Sequence, residues 1–443
     1  MVRNISRSAL ILMVFFMAVT ALAAETAKDK ISLDIVPDHS DYLYSLGERC
    51  VFQISVDVEK FSSLRGEPEV TYRLSEDRER TLDQGSLELN GGSAKLTGAL
   101  DRPGFLRLDV KLIAGADTLY AECGCGFEVE AIRPTGALPD DFDRFWREAR
   151  AELLRIPINP KLEPYKPEEP VPGAKYFRVS LATVNGTRVY GKLIVPRGKG
   201  PFPTVLNVPY AGVYQVSEPD AYARAGMLVL SIDAHGLPQD RPEQWYRRLG
   251  WRFNGPLADY PHFGKEDPYT FYFRRVIQGA FRAMDYLYSR QDVDTTRVGA
   301  GGSSQGGALS LLLGGLDKRI KALISNVPAM CDHTGSLYGR PSGWPRLLKD
   351  GNTRRIVRTA AYYDAALNAG LIEVPARIGV GFVDRTCAPT TVYAAYNNLK
   401  GIKIIDNYPM MGHSVGEGWY EEAVGWLLDR LNERAAGSSP AED

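Results

Sequence analysis

A serine becomes a nucleophile only when a base takes its proton and an acid holds that base in place. One stretch of the chain offers such a serine, Gly302-Ser303-Ser304-Gln305-Gly306, with a strand-like segment (296–301) in front and a leucine-rich helix candidate from Gly307 behind. A tight turn between strand and helix pushes the central hydroxyl out of a sheet and leaves the next N–H free. Glycines on both sides suit that turn, because side chains there would strike crossing backbone. Ser304 is therefore the candidate nucleophile.

Its partners follow from chain order. The sequence holds five histidines, at positions 39, 235, 262, 333 and 413. On a strand–serine–helix turn the order is Ser, then acid, then His, which leaves His333 and His413. His333 follows the strand candidate at 320–326 too closely for an acid-bearing strand to lie between. His413 sits in Tyr408-Pro409-Met410-Met411-Gly412-His413-Ser414, between the last strand and last helix candidates, and is the expected base. The acid belongs at the end of the penultimate strand, where Gly379-Val380-Gly381-Phe382-Val383-Asp384 points to Asp384. Asp406, on the final strand, is the competitor; Asp364 and Glu373 precede the acid-bearing strand. The oxyanion needs two N–H donors: the backbone of Gln305, and that of Tyr210 in the loop Asn207-Val208-Pro209-Tyr210-Ala211-Gly212. This chemistry requires no metal and no organic cofactor.

These residues need a scaffold of alternating strands and helices. Two antiparallel strands (176–184 and 188–195) flank the hairpin signal Asn185-Gly186. Strands at 204–208 and 227–232, a helix at 220–225, and a long amphipathic helix from Asp267-Pro268 to about Arg290 follow. The nucleophile unit, strands at 320–326, 376–383 and 402–406, and a helix at 415–434 complete the domain, 176–436. The pattern implies a mostly parallel, doubly wound α/β sheet covered on both faces. Upstream, residues 28–132 read as about seven short strands, a β-sandwich of immunoglobulin type. It carries no catalytic cluster, and a spacer or packing role is the plainest reading. Residues 133–175 hold a helix (140–154) and a proline-rich connector (157–172).

Composition sets the outer bounds. The 443 residues carry a formal net charge of −1 with no long run of one sign, which gives no support for nucleic-acid binding or electrostatic membrane attachment. Arg3 and Arg7, the apolar run 9–19 and Ala21-Leu22-Ala23-Ala24 read as a signal peptide over 1–24, cleaved near Ala23 or Ala24. The expectation is an exported protein, periplasmic or secreted, with no membrane attachment after cleavage. An oxidising compartment permits a disulfide from Cys50 to Cys123 or Cys125, with free buried thiols as the alternative.

The chain resembles the acetyl xylan esterase and cephalosporin C deacetylase family, carbohydrate esterase family 7, of the α/β-hydrolase superfamily. The resemblance is carried by Asp141-Phe142-Asp143-Arg144-Phe145-Trp146, by Gly302-Ser303-Ser304-Gln305-Gly306-Gly307, and by the Asp384-Arg385-Thr386-Cys387-Ala388-Pro389 segment through Asn397. It runs from about 140 to 431 and stops short of the sandwich. It implies an α/β-hydrolase fold and serine-dependent deacetylation of sugar esters by Ser304, Asp384 and His413, with Tyr210 and Gln305 as oxyanion donors. The family assembles as a ring-shaped hexamer, but the added sandwich would block or replace those contacts, so the resemblance leaves open whether this chain forms a homo-oligomer. Two departures bear on substrate range. Asp233-Ala234-His235-Gly236 stands where the family usually has Arg-Gly-Gln, and Ser414, not glutamate, follows the base. His235, Trp245 and Trp251 are candidate sugar contacts, with structural packing as the alternative. A peptidase of prolyl-oligopeptidase type or a general small-ester hydrolase would share the triad, as would a non-catalytic binding protein that kept the fold.

Overall fold

Alternating apolar residues build the N-terminal sheets. The computed structural model describes residues 32–56, 68–114 and 117–437; the signal-peptide reading at 1–24 lies outside them. Strands β1 (Leu33–Pro37), β2 (Leu43–Tyr44), β3 (Cys50–Val56), β4 (Glu69–Glu76), β5 (Arg80–Ser86), β6 (Ser93–Gly98), β7 (Gly104–Ala114) and β8 (Asp117–Phe127) form two sheets, β1-β3-β6 and β2-β8-β7-β4-β5. Every second residue of β3 is buried, and Phe52 and Ile54 share a core with Leu108, Val110 and Cys123 of the larger sheet. A β-sandwich results. All five cysteines are buried free thiols; Cys50 Sγ faces Cys125 Sγ across the sheets at 3.6 Å, so the expected disulfide is not formed in this structure.

Two sandwich strands differ from expectation. Within the seven short strands read over 28–132, the sequence places one at 86–89, but β5 ends at Ser86; as an exposed edge strand it has no apolar alternation to announce it. The sequence also places a strand at 126–132, where the structure has the end of β8 followed by a single 3-10 turn, Val129–Ala131. Its glycines resemble turn signals but serve close packing: a Cβ on Gly126 would lie 2.4 Å from Val129 Cγ1.

The catalytic domain opens with helix α1 (Phe142–Leu154) and the strands β9 (Lys161–Tyr165), β10 (Lys175–Ala182) and β11 (Arg188–Val195). β9 corrects the connector reading. It is an edge strand, where a proline such as Pro164 is tolerated. Then come β12 (Phe202–Asn207), α2 (Asp220–Arg224), β13 (Leu228–Ile232), α3 (Glu243–Leu249), α4 (Tyr272–Tyr288), β14 (Val293–Ser303), α5 (Gln305–Leu316) and β15 (Ala322–Asn326). Helices α6 (Arg354–Tyr362) and α7 (Ala365–Asn368), strand β16 (Ala376–Gly381), α8 (Pro389–Asn398), β17 (Lys403–Tyr408) and α9 (Trp419–Gly437) complete it. The nine strands run β17-β16-β15-β14-β12-β13-β11-β10-β9. From β13 to β17 every pairing is parallel, while β9, β10 and β11 join antiparallel. One core joins the sheet to α1, α4 and α5, and another to α2 and α9, so helices cover both faces. This is the α/β-hydrolase fold.

Helix α4 starts later than Asp267-Pro268 suggests. Those residues form a turn in which the Asp267 carbonyl accepts from the Thr270 and Phe271 N–H groups. Phe271 then adopts an extended conformation and sends its ring into the core, 4.8 Å from Tyr363. Burial of that ring outweighs the local capping preference. No helix among the described residues is long and apolar enough to cross a membrane.

Candidate active site

Parallel register brings the C-terminal ends of β14, β15, β16 and β17 side by side, and the candidate residues hang from those ends. Ser304 lies between β14 and α5 with φ 58° and ψ −117°, a sparsely populated conformation that the surroundings must enforce. They do so by close approach. A Cβ on Gly302 would fall 2.6 Å from the Gly306 carbonyl carbon, and one on Gly306 would fall 2.4 Å from the Val208 carbonyl oxygen. The Ser304 N–H donates to the Asn326 carbonyl at 2.8 Å, pinning the turn to the end of β15.

The structure brings Ser304, His413 and Asp384 into one hydrogen-bonded chain. His413 Nδ1 lies 2.7 Å from Asp384 Oδ2, and His413 Nε2 lies 2.8 Å from Ser304 Oγ. A carboxylate only accepts, so Nδ1 carries the proton and Nε2 is left to accept from the serine hydroxyl. Asp384 Oδ1 accepts from the Thr386 and Cys387 N–H groups at 2.7 and 3.0 Å. Both oxygens are thus engaged, and the side chain is 1% exposed against 31% for His413. The Cys387 thiol completes a group whose ligand atoms lie within 4.8 Å of one another, a spacing a metal could use. The carboxylate and imidazole already bind each other, and burial pushes the thiol away from its thiolate form.

The competitors are occupied elsewhere. Asp406 pairs with Arg377 at 2.6 Å and accepts from the Trp419 indole at 2.7 Å. Asp364 takes the N–H groups of Asp332 and His333, and burial pushes its carboxyl up to about 6. His333 is fully buried, which pushes its imidazole down to about 4.

Tyr210 and Gln305 meet through more than backbone. Gln305 is fully buried, and its amide donates to the Pro209 and Tyr210 carbonyls at 3.2 and 3.4 Å. Its carbonyl accepts from the Tyr260 hydroxyl at 2.6 Å, and that hydroxyl accepts from the Gly212 N–H at 3.2 Å. The first turn of α5 has N–H groups without intrahelical acceptors, and the Tyr210 loop passes directly over it.

His235 is not a surface contact for sugar. It is buried, with Nε2 2.8 Å from the Gly212 carbonyl and Nδ1 2.7 Å from the Tyr272 hydroxyl. A carbonyl only accepts, so Nε2 donates and Nδ1 accepts from the phenol. Burial pushes the imidazole down to about 4, keeping it neutral. The departure at 233–236 therefore braces the Tyr210 loop. Trp245 is half-buried, stacked edge-on against Tyr246, and does not line the pocket beside Tyr210. Trp251 does: it is 68% exposed and borders a pocket of about 260 Å³ with Tyr210 and Tyr214.

Sequence reasoning missed the sandwich's part in this site. Arg107 of β7 is buried and donates to the Val383 carbonyl at 2.6 Å, one residue before Asp384. Its other nitrogens bind Asp109 and Glu122 at 2.6 to 3.1 Å. Gly124 of β8 lies so close to Phe382 that a Cβ would come within 2.7 Å, and its N–H donates to Pro409 at 3.4 Å. Phe105 packs its ring on Phe382 and Tyr393. Thr390, at the start of α8, donates to the carboxyl of Asp77. A glycine inside a strand, as in Cys123-Gly124-Cys125, was the available signal of a close backbone approach.

Fold and strand order together define a member of the α/β-hydrolase class. Comparison narrows this: the pattern described as Acetyl xylan esterase (AXE1) matches residues 127–430. The chain belongs to the acetyl xylan esterase family and is a carboxylic-ester hydrolase. It is similar to the acetyl esterase Axe7A of Xylanibacter ruminicola, 33% identical over 384 residues, 83% of each chain. Among solved structures it is similar to the acetyl xylan esterase from Paenibacillus sp. R4 (27% identity, TM-score 0.58) and to acetyl xylan esterase 1 from Thermoanaerobacterium sp. JW/SL YS485 (25%, 0.56). Each match covers 68% of this chain and 98% of the other. Those two esterases are matched almost whole by two thirds of this chain. The family pattern keeps to 127–430, close to the expected 140–431, while the Xylanibacter relative aligns over too much of the chain to stop there, so that one likeness extends into the sandwich.

Proposed function

We propose that this protein removes acetyl groups from carbohydrate through an acyl-enzyme on Ser304. The observation that carries the reading is the continuous chain Ser304–His413–Asp384 on a strained strand-to-helix turn, in a member of the acetyl xylan esterase family. Ser304 Oγ attacks the acetyl carbonyl while His413 Nε2 takes its proton. Asp384 orients the imidazole and stabilises its charged form. The N–H groups of Gln305 and Tyr210 hold the tetrahedral oxyanion. His413 then protonates the departing sugar oxygen, leaving acetyl-Ser304. Water, deprotonated by His413, attacks the ester and releases acetate and free Ser304. The steps use side chains, backbone N–H groups and water.

Export belongs to the same proposal, on the strength of the basic, apolar and small-residue order of positions 3–24. The substrate is then an acetylated oligosaccharide or polymer met outside the cytoplasm. Acetate release from acetylated xylo-oligosaccharides and from a non-sugar acetyl ester tests the reading. Ser304→Ala should lower kcat by roughly a million-fold with the melting temperature retained. Full activity in that variant would sink the mechanism, and turnover of only the non-sugar ester would remove the carbohydrate claim.

A further inference from the structure

The outer face of the sandwich's five-stranded sheet carries a pocket of about 570 Å³ that the proposed chemistry leaves unused. Pairing of β4, β7 and β8 arranges its floor in rows. Arg73, Asp109 and Glu122 stand opposite one another, and Thr71, Lys111 and Tyr120 form the next row. The row on the other side, Ser75, Arg107 and Gly124, is the one that meets Phe382 and Val383. Side chains recur on one face every second residue, so the rows are spaced by roughly 7 Å and form one continuous surface. That surface leads outward from the acid loop. Arg385, next to Asp384, walls the pocket where the two domains meet.

Its charge is unbalanced. Arg73, Arg78, Lys111 and Arg385 line the pocket against two carboxylates, Asp109 and Glu122. Both carboxylates are already held by the buried Arg107, and Glu122 also meets Arg385, so five cations share two negative charges. Arg78 Nε is sealed from solvent without a hydrogen-bond partner, 3.7 Å from Asp109. Burial, and the like charges of Arg78 and Arg107, hold the Arg385 guanidinium below its ordinary range. An added anion would relieve that crowding. Tyr120, 69% exposed, offers a flat apolar ring on the same floor, with Lys111 Nζ 5.9 Å from its centre. A ring face beside surplus cations matches the apolar face and carboxylate of an acidic sugar.

We propose that this pocket is a subsite for a uronic-acid unit of the carbohydrate chain. Its carboxylate is taken between Arg78 and Arg385, and its ring lies on Tyr120. The inference rests on the carbohydrate-deacetylase reading and names a substrate class within it: acetylated chains that bear carboxylate side groups.

Calorimetric titration of the full chain carrying Ser304→Ala reads binding without turnover. The probes are a xylotetraose with one glucuronic-acid branch and the unbranched xylotetraose, at two salt concentrations. The branched probe should bind at least about tenfold tighter, and added salt should weaken that preference. Lys111→Glu with Tyr120→Ala should abolish it; should that pair lower the melting temperature, Tyr120→Ala alone should still reduce affinity for the branched probe. Equal affinity for the two probes, no binding of either, or a preference indifferent to these variants would overturn the subsite. Acetate release by the wild type tests the deacetylase reading separately, so the two can fail independently.

Discussion

The two sides of the candidate site are braced in different ways. The Tyr210 side is held from within its own domain, by Gln305, Tyr260 and His235 joined to Gly212. The Asp384–His413 side leans on the other domain, through Arg107 to Val383, Gly124 to Pro409 and Phe105 to Phe382. The first brace is a buried network of neutral groups; the second is a docked surface centred on a buried guanidinium. Damage to the sandwich should therefore loosen the acid and base while sparing the oxyanion loop, and damage around Tyr260 should do the reverse.

The largest expected effect is at Arg107. Arg107→Met removes the tie to Val383 and should cost roughly 3 kcal/mol of stability, the low end for a broken buried pair because Asp109 and Glu122 keep Arg385. Loss of acid-loop geometry should lower kcat on a small acetyl ester by about 10- to 100-fold. Arg107→Lys should recover part of it, with KM for the small ester unchanged in both variants. An unchanged kcat with lost stability alone would make the sandwich a passive support. Tyr260→Phe is the counterpart on the other side. It removes two hydrogen bonds and should lower kcat about tenfold.

The two braces should also respond oppositely to pH. His235 has its imidazole pushed down to about 4 by burial, below the usual value near 6.5. The unfolded chain binds the proton first, so its contribution is complete above about pH 6.5 and is lost as pH falls toward 4. Asp77 is the reverse. Its carboxyl is sealed from solvent with one oxygen unpaired, and burial raises it to about 7, with Glu76 adding repulsion. There the native state holds the proton longer, so stability declines as pH rises from about 4 to 7. Melting curves of His235→Asn and Asp77→Asn across pH 4 to 8 should flatten the acid and alkaline slopes respectively. The smallest effect is at Trp251, an exposed rim residue. Trp251→Ala should change stability by less than about 0.5 kcal/mol and act, where it acts, on KM for sugar esters; an effect on kcat with the small ester would assign it to the oxyanion loop.

The difference between the braces also explains what the sequence made legible. Ser304, Asp384 and His413 could be read because chain order and strand ends constrain them locally. Arg107 could not. In Phe105-Leu106-Arg107-Leu108 it occupies the outward phase of an alternating strand, where a charged residue reads as solvated. Its partner lies 276 positions away. His235 was visible as a departure from the family pattern, but its type alone could not separate a sugar contact from a brace; the Gly212 carbonyl and Tyr272 hydroxyl decide that. The start of α4 went wrong for a related reason. Asp267-Pro268 is a sound local capping signal, overridden by the burial of Phe271.

The docked surface has a consequence for how the protein is made. The sandwich strands leave the ribosome first, and Val383 follows Arg107 by 276 residues. At about 5–20 residues per second that is roughly a quarter of a minute or longer. Throughout that interval the sheet face waits without its partner, and the charges beside it keep the waiting surface wet while synthesis continues. The acid and base loops are translated after the sandwich strands and should meet a face that is already folded. Catalytic competence should then wait for both domains and arrive all at once, when their faces meet.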